Sequence, residues 1–260
     1  MTGVGDAPKT PMIHIVILRP LSGAVVGMLL FSGVAYADPV TGAPELTRNE
    51  IYKAKVASVG CKLAKGTSAS STKKYVTSLV GCLNKAWKPA IKDFQQVKVT
   101  IKESDDRRSC STGLDVDVSF SEICETEVHV RLAKDWIKAK SDAEVFTSIA
   151  KTWSGVVTGQ TGIGQAWVAM QNDASDAEMN QQNRRYYLQL DCFMGVSAKA
   201  LGRVVKDWKP TAKSKLFWED FLKNKYSGKT ANRLYWLEQG YKTGKPAACN
   251  TWKASESKVA

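Results

Sequence analysis

Residues 143–157 read AEVFTSIAKTWSGVV, and residues 185–195 read RYYLQLDCFMG. In the first stretch Phe146, Ile149, Ala150, Trp153 and Val157 recur at helical spacing and form one apolar stripe. Ser141 and Asp142 are placed to cap its N-terminus, and Glu144 suits the positive end of the helix dipole. Glycines at 159, 162 and 164 break the periodicity. The second stretch lies inside a longer helical segment, 175–204, which carries polar residues on every face. Two long helices in succession are the frame on which the rest is placed.

Upstream, residues 75–87 form another helix, with Val76, Leu79, Val80, Leu83 and Trp87 on one face and Pro89 ending it. A Ser/Thr-rich loop, 67–72, precedes it. Residues 97–103, VKVTIKE, alternate apolar and polar, as a strand with one buried face does. Residues 105–111 are a charged loop, 116–120 a short strand, and 127–132, EVHVRL, a further alternating strand. Residues 49–64 carry no clear period beyond a short helix. Downstream, 217–222 and 232–241 read as shorter helices, the last stopped by Gly244-Lys245-Pro246. Helix, strands, then helices indicate an α+β domain, mostly helical with a small sheet.

Residues 13–37 read as an export signal: Arg19, then the apolar run LSGAVVGMLLFSGV at 21–34, then Ala35-Tyr36-Ala37 at the cleavage position. Translation starting at Met12 gives a more ordinary leader than translation from Met1. A membrane anchor is the alternative, but the run is shorter than the roughly 20 residues a spanning helix needs. Residues 38–47 then read as a short leader, and 48–260 as one domain. All six cysteines lie beyond the signal. An even count behind an export signal predicts disulfides, and the sequence-local scheme pairs Cys61 with Cys82, Cys110 with Cys124, and Cys192 with Cys249.

The formal charge is +12. Residues 48–98 and 197–260 are both strongly basic, while 99–196 is acidic on balance. The basic ends suit an anionic envelope polymer or lipid headgroups. A solvated lysine-rich face that keeps an exported domain soluble is the plainer reading. Lysine outnumbers arginine, which argues against bidentate phosphate recognition and makes nucleic acid a poor fit. Trp208 and Trp218 flank a lysine-rich segment and read as surface aromatics. Trp87 and Trp153 read as core.

Three segments together resemble the bacterial neutral zinc metallopeptidase family: RYYLQLDCFMG at 185–195, NRLYWLEQGYKTGKPAACNTW at 232–252, and CLNKAWKP at 82–89. The resemblance implies a zincin-like fold. It also implies an H-E-x-x-H helix at 149–156, whose two histidines bind zinc and whose glutamate activates a water, with a third ligand from the following helix. At those positions this chain carries Lys151, Thr152, Gly155 and Tyr187. Beyond the signal it has one histidine, His129. Two-histidine zinc chemistry cannot be assembled from one imidazole, so no metal or cofactor is expected, and His129 reads as a structural strand residue. The expectation is therefore a secreted pseudopeptidase that binds a protein, a peptide or an anionic envelope polymer. Lys151, Tyr187 and Asp191 are the candidate lining of the former cleft, with Lys151 expected to pair with a carboxylate. Two alternatives stand beside it: a hydrolase using Lys151, Tyr187 and Asp191 as shifted acid and base, and a metal held by carboxylates of the acidic segment.

Overall fold

A computed structural model describes residues 43–103, 109–110, 113, 117–214 and 226–260. The export signal at 1–37, the start of the leader, most of the charged loop at 105–111 and the helix at 217–222 with Trp218 lie outside the described residues.

The chain enters through a short helix, α1 (Pro44–Thr47), and a 3-10 turn, Glu50–Lys53. Leu46 is fully buried, so the second half of the expected leader is part of the folded core. Residues 54–64 cross the surface as an extended ribbon, and α2 (Ala69–Trp87) follows. This helix starts earlier than the apolar period alone indicates. Ser68 and Ser71 form a reciprocal capping box, so the serine-rich segment belongs to the first turn rather than to a loop.

The strands are β1 (Val99–Glu103), β2 (Phe120–Cys124) and β3 (Glu127–Leu132). Their order is β1-β3-β2, with β1 parallel and β2 antiparallel to the central β3. The middle strand falls on 120–124 rather than 116–120, because Ser121 and Ile123 turn toward the helices while Glu122 and Cys124 turn away. A tight turn with Glu125 in the left-handed region joins β2 to β3.

Helices α3 (Lys134–Lys138), α4 (Ala143–Gln160), α5 (Ile163–Gln171), α6 (Asp176–Ala200), α7 (Lys209–Lys213) and α8 (Thr230–Thr243) complete the described elements, with 3-10 turns toward the C-terminus. From Val145 to Thr158, α4 is buried all round except at Gly155, so it is the central helix rather than one with a single buried stripe. Its polar side chains find partners inside: Ser148 and Thr152 share Ser121 Oγ at 2.8 Å each, and Ser154 bonds the Ala150 carbonyl. Asp142 sits at the cap position of α4, but its side chain makes no cap bond and serves elsewhere. The glycine-rich break after α4 restarts at once as α5, with Gly162 in the left-handed conformation between them.

The tightest helix contact is α6 against α8. A Cβ on Gly195 would lie 2.2 Å from the Leu237 carbonyl oxygen, and one on Gly240 would lie 2.0 Å from that of Cys192. Only glycine permits that backbone approach. Trp87 stacks edge-on against Phe193 at 5.6 Å and donates to Ser197 Oγ, fastening α2 to α6. The three disulfides pair Cys61 with Cys82, Cys110 with Cys124 and Cys192 with Cys249. Among the described residues no helix is long and apolar enough to cross a membrane.

Candidate functional site

Helices α4 and α6 pack side by side, and Lys151 and Asp191 meet between them. Lys151 Nζ lies 3.2 Å from Asp191 Oδ1. From α8, Arg233 Nε donates to Asp191 Oδ2 at 2.9 Å, and its Nη1 donates to the Ser214 carbonyl. Asp191 is 0 % exposed, Lys151 1 % and Arg233 4 %. Burial by itself raises the Asp191 carboxyl. The Arg233 charge and then the Lys151 charge oppose this and hold it below the usual carboxylate range. The carboxylate is therefore ionised and shared by two cations across three helices.

Of the other positions singled out by the sequence, Thr152 points to the sheet, where it donates to the Ser121 carbonyl. Gly155 lies beneath β2, and a Cβ there would come within 2.9 Å of Ile123 Cδ1. Tyr187 is half-buried and packs edge-on against Trp167 of α5 and against Tyr186. Lys151 and Asp191 thus share a contact, whereas Thr152 belongs to a separate hydroxyl cluster. The three residues proposed to line a cleft do not line an open one: two of them are sealed from solvent. Trp208 is buried against Tyr241 rather than exposed, whereas Trp87 and Trp153 are in the core.

A zinc ion does not fit the α4–α6 position. Lys151, Thr152, Gly155 and Tyr187 offer no imidazole or carboxylate, and the neighbouring Asp191 carboxylate is already bonded to Lys151 and Arg233. Among the described residues carboxylates alone form no such group either. Among the described residues the one group of three potential ligands close enough to share an ion is Cys110, Cys124 and His129.

Two further features were not legible in the sequence. Arg233, the third member of the buried cluster, sits in the segment 232–252 as an ordinary exposed-looking helix residue; its burial follows from the glycine contact that brings α8 onto α6. A second cluster joins α2, α4 and the end of α6. Asp142 accepts from Tyr75 Oη at 2.7 Å and from both terminal nitrogens of Arg203 at 2.6 and 3.0 Å. The Arg203 hydrogen bond is the largest influence on Asp142 and holds its carboxyl below the usual range, against burial. Arg203 also stacks over Phe146 at 4.0 Å.

The ribbon at 54–64 connects the two basic ends of the sequence. Ala57 N donates to the Ala86 carbonyl, Val59 N to Ala200 and Cys61 N to Leu201. Lys55 and Lys62 of the ribbon, Lys85 and Lys88 beside α2's end, and Lys199 and Lys206 beside α6's end are all exposed. Their backbones are thereby held adjacent, although about 110 residues separate the last pair from the middle one. An open depression of about 480 Å³ lies in this surface, lined by Cys61 to Ala64, Arg203 and Val204. No protein-family model, no curated protein and no solved structure matches the chain.

Proposed function

We propose that this chain is an exported, non-catalytic protein on a zincin-like scaffold, related to the neutral zinc metallopeptidases, that acts by binding an anionic envelope polymer. The observation that carries the non-catalytic reading is the Lys151–Asp191–Arg233 cluster. Where the resemblance calls for a divalent cation between two helices, an ammonium from Lys151 neutralises the neighbouring carboxylate. The same burial speaks against a hydrolase built on these residues, because an acid or base must reach within hydrogen-bond distance of its substrate. With that position closed, the chain's accessible chemistry is its surface.

The convergence of both basic segments on the ribbon supports a polyanion as the ligand. Exposed lysines on short, hydrogen-bonded segments act as mobile point charges, which suits a flexible polymer of repeating phosphodiesters better than one fixed phosphate. The test is titration of the disulfide-intact protein with a poly(glycerol phosphate) chain, with vesicles of anionic lipid as a second arm. Binding that weakens steeply between low and physiological salt, and that is lost in Lys55→Glu/Lys62→Glu/Lys199→Glu, is expected. Saturation only by vesicles assigns the face to lipid and contradicts the polymer reading. Salt-independent binding, or none at low salt, contradicts both.

A further inference from the structure

The disulfide between Cys110 and Cys124 sits beside the sole histidine of the described residues. Alternation along the β2–β3 hairpin puts Glu122, Cys124, Glu127 and His129 on one face, with Cys124 opposite Glu127 and Glu122 opposite His129. The Cys110 and Cys124 sulfurs and a His129 ring nitrogen all lie within 4.8 Å of one another. His129 Nε2 is 3.7 Å from Glu127 Oε2. That oxygen already accepts a hydrogen bond from Thr100 Oγ1 on β1, at 2.9 Å. Ser109 and the Cys110 amide bond both oxygens of Glu122, which fixes the Cys110 end against the sheet independently of the disulfide.

We infer that the dithiol form of this corner is a zinc site, with Cys110, Cys124 and His129 as ligands and Glu127 as the fourth. Zn–S near 2.3 Å and Zn–N near 2.0 Å put tetrahedral ligand atoms about 3.5–4 Å apart; here three of them lie within 4.8 Å of one another and Glu127 Oε2 is 3.7 Å from His129 Nε2, so the site forms by parting the two sulfurs and turning the Glu127 side chain. Thr100 then orients the Glu127 carboxylate from behind, as outer-shell donors do. The hydrogen bonds to Glu122 keep the two thiols together once the disulfide opens. A dithiol reductant delivers two electrons and two protons to the disulfide, becoming a disulfide itself. Zinc then displaces the two thiol protons. Reoxidation by an external disulfide takes the electrons back and expels the ion. The corner thus alternates between a covalent staple and a metal staple. Of the three bridges it is the one with an exposed sulfur end: Cys110 is exposed, Cys61 is half-buried, Cys82 and Cys124 are buried, and Cys192 and Cys249 are fully so. The site is separate from the α4–α6 position, and the inference does not depend on the proposed function.

The experiment uses the full chain, reduced under limiting dithiothreitol and desalted without oxygen, with alkylation and mass mapping of the opened bridges. Co²⁺ is then titrated in, followed by Zn²⁺. The expected result is one Co²⁺ per chain, with a thiolate-to-cobalt band in the near ultraviolet and the red visible bands of tetrahedral cobalt, displaced by Zn²⁺. Cys110→Ser/Cys124→Ser, reduced identically, removes both bands, so thiols from the other bridges are controlled. His129→Ala loses the tetrahedral pattern, and Thr100→Val weakens binding about 10–100-fold. The inference is overturned if reduced wild type and the double serine variant give the same spectrum. It is overturned equally if His129→Ala binds with unchanged spectrum and affinity.

Discussion

Asp191→Asn removes a buried carboxylate that Lys151 of α4 and Arg233 of α8 both contact. At 2.9 and 3.2 Å, each contact supplies roughly 5–6 kcal/mol of attraction at an effective dielectric constant near 20. Desolvating the three charges costs several kcal/mol per ion, so the intact cluster is worth far less than those attractions together. Removing Asp191 is another matter, because its attractions are lost while Lys151 and Arg233 stay buried. The expected loss is about 3–5 kcal/mol, or a fall in melting temperature of about 10 °C for a domain of this size. Lys151→Met keeps the aliphatic stem and leaves Asp191 bonded to Arg233, so it is expected to cost about 1–2 kcal/mol. The sign of the pH dependence follows from the direction of the shift. Asp191 is held below the usual range, so its contribution is present above the unfolded value near pH 4 and is lost as pH falls through the folded one. The gap between wild type and Asp191→Asn should therefore narrow in acid. Urea unfolding of both variants from neutral pH to about pH 3 measures this. Asp191→Asn costing no more than a surface change of about 0.5 kcal/mol, or Lys151→Met costing as much as Asp191→Asn, refutes the reasoning.

Gly240→Ala drives a methyl into the Cys192 carbonyl, so it should cost about 4 kcal/mol or more, whereas Gly81→Ala, with nothing near its Cβ, should be neutral or stabilising by up to about 1 kcal/mol in the same melts. Replacing Cys192 and Cys249 by serine opens a bridge spanning 57 residues and is expected to cost about 4 kcal/mol, against about 3 kcal/mol for the 14-residue bridge of Cys110 and Cys124; paired denaturation curves give the order. Arg203→Gln removes the bonds that depress Asp142, so its destabilisation should be greatest at neutral pH and shrink below about pH 4; a gap that does not change with pH contradicts that assignment.

The sequence carries the long helices and the sheet-forming hairpin plainly, because their apolar period is regular: 127–132 is a strand by alternation alone, and 143–157 is helix by its stripe. The local disulfide scheme holds as well, since each bridge joins cysteines that are consecutive in the chain. What the alternation does not carry is pairing through small residues. Nothing in NRLYWLEQG announces that Gly240 lies on a carbonyl of α6, and without that contact Arg233 has no reason to be inside. Asp142 fits every local rule for a helix cap and is diverted to Arg203 and Tyr75, because a charged partner 61 residues away outweighs a cap bond worth about 1 kcal/mol. Trp208 follows the same logic: flanking lysines mark a surface segment, yet the ring turns inward to Tyr241. In the site, a carboxylate partner for Lys151 is expected of any lysine set among apolar helix residues, whereas the complete burial of the Lys151–Asp191 pair is not legible. The basic ribbon is invisible in one dimension, because its two halves are about 100 residues or more apart.

A protein cation, not a metal, balances the Asp191 charge between α4 and α6. Elemental analysis of the disulfide-intact protein after equilibration with zinc, combined with a chelator-controlled peptidase assay on an unfolded casein substrate, tests it most directly. No stoichiometric zinc and no chelator-sensitive cleavage are expected, unchanged in Lys151→Met. One zinc ion per chain, with proteolysis that chelator abolishes and zinc restores, contradicts it.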